Sequence, residues 1–158
     1  MAHAALDQID KVILHELQED GRMTNVDLAK KAGLTAPPCL RRVRALEEAG
    51  VIESYHAKLN ATALGYGIMV FALVSLRSQA EDDLKLFEAH VTELPEIREC
   101  HMLNGEIDFI LKIVAHDLQA FQQFLTSKLT TAPNVASVKT SLTIRTSKDI
   151  PGIPVNGL

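Results

Sequence analysis

Along residues 6–17 the apolar side chains Leu6, Ile9, Val12, Ile13 and Leu17 recur at three- and four-residue intervals, the spacing that gathers them on one stripe of a helix. Asp7 and Asp10 fall in the opening turn, where carboxylates suit the positive end of the helix dipole, and Asp20-Gly21 supplies a stop. Asn25 is expected to cap a short second helix over residues 26–32, which buries Val26, Leu28 and Ala29 and ends at Gly33. A third helix is predicted over residues 35–49, with Gly50 as its stop. At about 100° per residue its Cys39, Val43 and Leu46 share one face, Leu40 and Arg42 flank that face, and Arg41 and Arg44 point away from it. Only a short glycine-containing turn separates the second and third helices, which is the signature of a helix-turn-helix. Residues 52–59 read as a β-like segment that either pairs as a wing or leads out of the domain.

The pattern changes after Gly65-Tyr66-Gly67. Residues 68–76 are an apolar run of strand length. Residues 81–92 have helical spacing at Leu84, Phe87 and Val91, and residues 97–102 are a second strand. Leu103-Asn104-Gly105 makes a turn into a third strand over 108–114. Residues 118–129 place Leu118, Phe121, Phe124 or Leu125, and Leu129 on one helical face, and a fourth strand spans 135–144. Strand, helix, strand, strand, helix, strand is the ferredoxin-like, ACT-like βαββαβ order, with two helices on one face of a four-stranded antiparallel sheet. The expected fold class is therefore α+β: a winged-type helix-turn-helix over residues 1–52, a linker strand and hinge over 53–66, and a ferredoxin-like domain over 67–158. A sheet with one bare, partly apolar face is expected to bury it against a second copy, so self-association to a dimer or a larger assembly is predicted.

Composition alters this picture little, and charge alters it locally. The 158 residues are 47% hydrophobic and 23% charged, near globular averages. A net charge of −4 argues against a generally basic surface for nucleic acid. Arg41, Arg42 and Arg44 are nevertheless the densest positive cluster in the chain. Taken alone, the trio also fits a solvated helix face paired with Glu47 or Glu48. Its place on the helix after the glycine turn points to double-stranded DNA, with that helix in the major groove. Arg42, beside the buried face, is expected to bond to a carboxylate or carbonyl of its own domain. Pro37 and Pro38 lack the N–H groups that a Thr35 cap would engage, which leaves the Thr35 hydroxyl for DNA. Candidate DNA-contact residues are therefore Asn25, Thr35, Ala36, Pro37, Arg41, Arg42 and Arg44.

Other classes find no support in the pattern. No apolar run reaches membrane-spanning length, and the acidic start does not read as a signal peptide; a cytoplasmic protein without a membrane partner is expected. Cys39 and Cys100 form no CxxC motif and Cys39 faces a core. Cys100 and His101 point to opposite faces of a strand, and the other histidines have no metal-ligand spacing. With no P-loop, GxGxxG or GxSxG, neither an enzyme nor a resident cofactor is expected.

Several segments together resemble the Lrp/AsnC (leucine-responsive/asparagine-responsive, feast-famine) family of transcriptional regulators. In the first domain they are Leu6-Asp7-x-x-Asp10, Gly33-Leu34-Thr35 and Pro38-Cys39-Leu40-Arg41-Arg42-Val43-Arg44-x-Leu46-Glu47 followed by Gly50-Val51-Ile52. In the second they are Glu99-Cys100-His101-Met102-x-x-Gly105-Glu106-x-Asp108-Phe109. The resemblance implies a sequence-specific DNA-binding regulator whose effector domain assembles dimers and often octamers. It implies an amino-acid effector between dimers, near Asn104, Gly105, Glu106, Ile107 and Asp108, with Thr140 contributing. The family loop usually reads Gly-Asp-x-Asp-Tyr, and this chain departs from it at Glu106 and Phe109. Chemically, Gly105 lets backbone N–H groups approach a carboxylate while Glu106 or Asp108 takes an ammonium; by itself the segment reads more readily as a hairpin turn with solvated acids, and the resemblance is what favours a site. An architectural DNA-binding protein that ignores ligands is the alternative function.

Overall fold

The computed structural model describes residues 6–155. They form two units: residues up to 58 together with those from 148 onward, and Leu59–Ser147.

The first unit contains α1 (Gln8–Glu19), α2 (Asn25–Lys31) and α3 (Ala36–Glu48). Asp7 and Asp10 form a reciprocal capping box at the start of α1: the Asp10 N–H donates to Asp7 Oδ1 at 2.8 Å and the Asp7 N–H to Asp10 Oδ2 at 3.3 Å. The cap of α2 is Thr24, not Asn25. Its hydroxyl accepts from the Asp27 N–H at 3.2 Å and donates to Asp27 Oδ2 at 2.6 Å, leaving Asn25 as the first helical residue. Val26, expected inside, is 54% exposed, and Leu28 and Ala29 alone carry the buried face. A helix seven residues long presents only two neighbouring positions of that kind to one core.

Gly33 and Gly50 take φ of +67° and +68°, a conformation that costs glycine little. At each, paired backbone bonds close the helix: Leu34 N–H to Ala29 O with Gly33 N–H to Lys30 O, and Val51 N–H to Leu46 O with Gly50 N–H to Glu47 O. Ile13, Leu28, Ala29, Cys39 and Leu46 form the core, with Leu6, Ile9, Leu17 and Val43 packed around it. No strand forms over residues 53–60, which are exposed. A strand needs a neighbouring ladder for its N–H and C=O groups, and among the described residues the only sheet is the four-stranded one of the second unit.

In the second unit, β1 (Ile68–Leu76), α4 (Glu81–Thr92), β2 (Ile97–Met102), β3 (Phe109–Ala115), α5 (Leu118–Phe124) and β4 (Val135–Leu142) follow in the expected order. The sheet runs β2-β3-β1-β4 with antiparallel neighbours throughout. Val70, Ala72 and Val74 of β1 are in register with Ile113, Leu111 and Phe109 of β3. These join Phe87, Phe121, Phe124 and Leu129 in one core, so both helices lie on this face. The other face carries Met69, Phe71, Leu73, Ile110, Lys112 and Val114, all half-buried. Two details differ from expectation. The second helix changes to a π-helical turn at Leu125–Leu129, and Leu118 remains 53% exposed because the buried stripe starts one turn later, at Phe121.

Candidate nucleic-acid interface and effector loop

The candidate DNA-contact residues lie mostly on α3, whose core side is fixed by Cys39 and Leu46. Arg41 and Arg44 are exposed. Arg42 is held: its Nη1 lies 2.8 Å from Asp7 Oδ2 and 2.8 Å from Asp10 Oδ1. The two capping carboxylates of α1 thus also grip the middle of α3. The Asp7 carboxyl is held below its ordinary range, first by the Asp10 backbone N–H and then by the Arg42 guanidinium, and the guanidinium is shifted upward in return. The expectation that Arg42 bonds within its own domain is met.

At the other end of α3 the Thr35 side chain makes no capping hydrogen bond, as the missing N–H groups of Pro37 and Pro38 require. Asn25 Nδ2 donates to Ala36 O at 2.8 Å, so the candidate DNA residues of α2 and α3 meet at the start of α3. Asn25 Oδ1 is buried and has no hydrogen-bond partner. Thr35, Ala36 and Pro37 therefore lie together, with Arg41 and Arg44 further along the same helix.

The candidate effector loop joins β2 to β3. Asn104, Gly105 and Glu106 are exposed and Ile107 is half-buried. A Cβ added at Gly105 would meet nothing within 4 Å, and Gly105 is not among the positive-φ glycines; neither local crowding nor backbone conformation requires glycine there. Asp108 differs from the other loop residues because it is buried at 7% exposure. Its Oδ2 accepts from the Leu76 N–H at 2.7 Å, its Oδ1 accepts from Gln79 Nε2 at 2.7 Å, and its own N–H donates to Val74 O at 3.1 Å. Asp108 therefore anchors the loop to the end of β1. Gln79 and the Leu76 N–H are partners that no sequence spacing had signalled. Thr140 is not brought to the loop within one protomer: it sits on β4 opposite Ala72, whose other neighbour is Leu111 of β3.

Among the described residues no group of three or more His, Cys, Asp or Glu side chains could hold a metal ion, and no helix is long and apolar enough to cross a membrane. Cys39 is fully buried, and burial pushes its thiol upward.

Two family models match the two parts of the chain: a winged helix-turn-helix DNA-binding domain over residues 6–53 and the Lrp/AsnC ligand binding domain over residues 69–153. The leucine-responsive regulatory protein of Rhizobium meliloti is 54% identical over 144 residues, covering 91% of this chain and 92% of the relative. The Bkd operon transcriptional regulator of Pseudomonas aeruginosa is 42% identical over 90% of this chain and 93% of its own length. Among solved structures, a transcriptional regulator of Neisseria meningitidis in complex with L-Met superposes with a TM-score of 0.93 at 36% identity, over 97% of this chain and 99% of that one. The outward arginines on a glycine-closed helix-turn-helix, the βαββαβ sheet and these matches over both parts agree: the chain belongs to the Lrp/AsnC family and is a DNA-binding transcriptional regulator.

Proposed function

We propose that this regulator works as a dimer or larger assembly, places α3 of each copy in a major groove, and changes assembly or DNA affinity when an amino acid binds at the β2–β3 loop. The observation that carries the DNA half is the division of labour on α3: Arg42 is anchored to Asp7 and Asp10 while Arg41 and Arg44 are left exposed. A helix so anchored presents two guanidinium groups and the Thr35 hydroxyl to phosphates and base edges.

For the effector, the open space over Gly105 and the exposed Glu106 carboxylate suit the two ends of a free amino acid. Loop N–H groups would take its carboxylate, and Glu106 its ammonium. Asp108 is assigned to holding the loop, since both its oxygens already accept hydrogen bonds. Thr140 enters such a site only from a second copy. The L-Met complex of the N. meningitidis regulator supports an amino-acid ligand. Self-association is supported by the half-buried apolar side chains Met69, Phe71, Leu73, Ile110 and Val114 on the sheet face away from the helices, a surface that a second copy would cover.

The test is solution mass by light scattering, with melting temperature in the same samples, for the protein alone and with each standard amino acid. One amino acid is expected to raise the melting temperature or change the mass, and Gly105→Trp is expected to abolish that response. If no amino acid acts on the wild-type protein, the ligand-independent architectural role takes the place of sensing. If Gly105→Trp responds like wild type, the loop is not the site.

A further inference from the structure

Beyond β4 the chain does not end in the sheet unit. Residues 148–155 belong to the first unit, so the polypeptide passes between the two units twice, after Lys58 and before Lys148. The returning segment is fastened to α1 by one side chain. Gln18 Nε2 donates to Ile153 O at 2.8 Å, and the Ile153 N–H donates to Gln18 Oε1 at 3.0 Å. The primary amide therefore pairs with both sides of one residue's backbone, as a neighbouring strand would.

Gly152 beside it has φ of +75°, which favours glycine, and a Cβ there would push the Gln18 amide out of its place. Val155, after the clamp, is 5% exposed. Before it, Lys58 Nζ lies 2.7 Å from Asp149 Oδ2 and donates to Asp149 O at 3.0 Å, joining the two crossings just where the chain leaves and re-enters the unit. Ion pairing, backbone clamp, positive-φ glycine and buried anchor fall within eight consecutive residues.

We infer that residues 148–155 are a latch: docked on α1 through Gln18, they give the DNA-binding unit a second tether, and this tether restricts which half-site spacings the assembled regulator accepts. A unit held by one flexible linker samples many orientations, whereas one tied at two points loses most of them. The chain runs on from β4 into the latch, so movement of that strand has a route to α1, covalent as far as Ile153 and then through the two Gln18 hydrogen bonds, that does not pass through residues 53–60.

The test uses full-length Gln18→Ala, which removes both amide bonds, and Gly152→Ala, which displaces the amide. Neither residue belongs to the proposed DNA or effector contacts. In hydrogen exchange the wild-type Ile153 amide is expected to exchange at least ~10-fold more slowly than an unstructured amide, and in both variants to lose that protection. In DNA binding, half-site separation is varied around one helical turn. Wild-type affinity is expected to fall at least ~10-fold when the separation changes by about half a turn, and the fall is expected to shrink to under ~3-fold in the variants, with single half-site affinity unchanged. An unprotected Ile153 amide in the wild type, or variant spacing profiles that overlay the wild-type profile, overturns the latch. If no protein binds DNA while Ile153 stays protected, DNA recognition has failed separately, and the latch's role in spacing falls with it.

Discussion

The two units of this regulator are stabilised in different ways. Among the described residues the sheet unit buries sixteen apolar side chains in one core, and the helix-turn-helix unit buries five. Fully burying one large apolar side chain is worth about 1.5–3 kcal/mol, so the sheet unit can stand on apolar burial. The smaller unit has far less of it and relies on helix ends: a capping box on α1, the Thr24 cap on α2, two glycine-closed C-termini, and Arg42 joining α1 to α3. The part that meets DNA is thus the part with the smaller apolar core.

That contrast can be broken in three places. The largest effect is expected in the sheet core, where Phe109→Ala removes a fully buried ring packed at 4.8 Å centroid distance against Phe87. A loss of about 3–5 kcal/mol is predicted, read from urea unfolding, and a loss under ~1 kcal/mol would mean that this core does not carry the unit. Next, Thr24→Ala should destabilise the first unit by about 1 kcal/mol. By comparison, Gln119→Ala, on an exposed helix position of the sheet unit, should stay within about 0.5 kcal/mol. Equal effects would erase the distinction between the units.

The smallest effect concerns pH and the Arg42 grip. Because the folded Asp7 carboxyl is shifted downward, its contribution is complete above the unfolded aspartate value near ~3.9 and disappears as pH falls through the lower folded value. Arg42→Ala should therefore be less stable than wild type at neutral pH, with the gap narrowing below about pH 4. A gap that is constant down to pH 2 would show that the carboxylate pairing contributes nothing.

How much of this was legible depended on whether the signal was local. The three helices, both glycine stops and the βαββαβ order could all be read, because each rests on hydrophobic period or on a residue type with one conformational use. Arg42 could be assigned inward because it flanks the Cys39–Leu46 face. Thr24 against Asn25 could not be resolved, since both are good caps and a one-residue shift decides which serves; that same shift turned Val26 to solvent. Residues 52–59 have strand composition, but composition cannot supply a neighbour. Asp108 looked like a ligand-facing acid, and its burial against Leu76 and Gln79 depends on how β1 and β3 align, which a single sequence does not display. The role of Gln18 had no signal at all, because a glutamine on a helix is ordinary and its partner lies 135 residues further on.

On α3, Arg41 and Arg44 are proposed to meet DNA while Arg42 only orients the helix that carries them. The most direct measurement is affinity against salt concentration, on a DNA fragment selected by the wild-type protein from a random pool, for Arg41→Ala and Arg44→Ala. Each arginine that neutralises a phosphate contributes about one to the salt slope. If both arginines meet phosphates, binding is weaker and the slope falls by about one in each variant, with unchanged melting temperature. Affinity and slope equal to wild type in both would contradict the proposal.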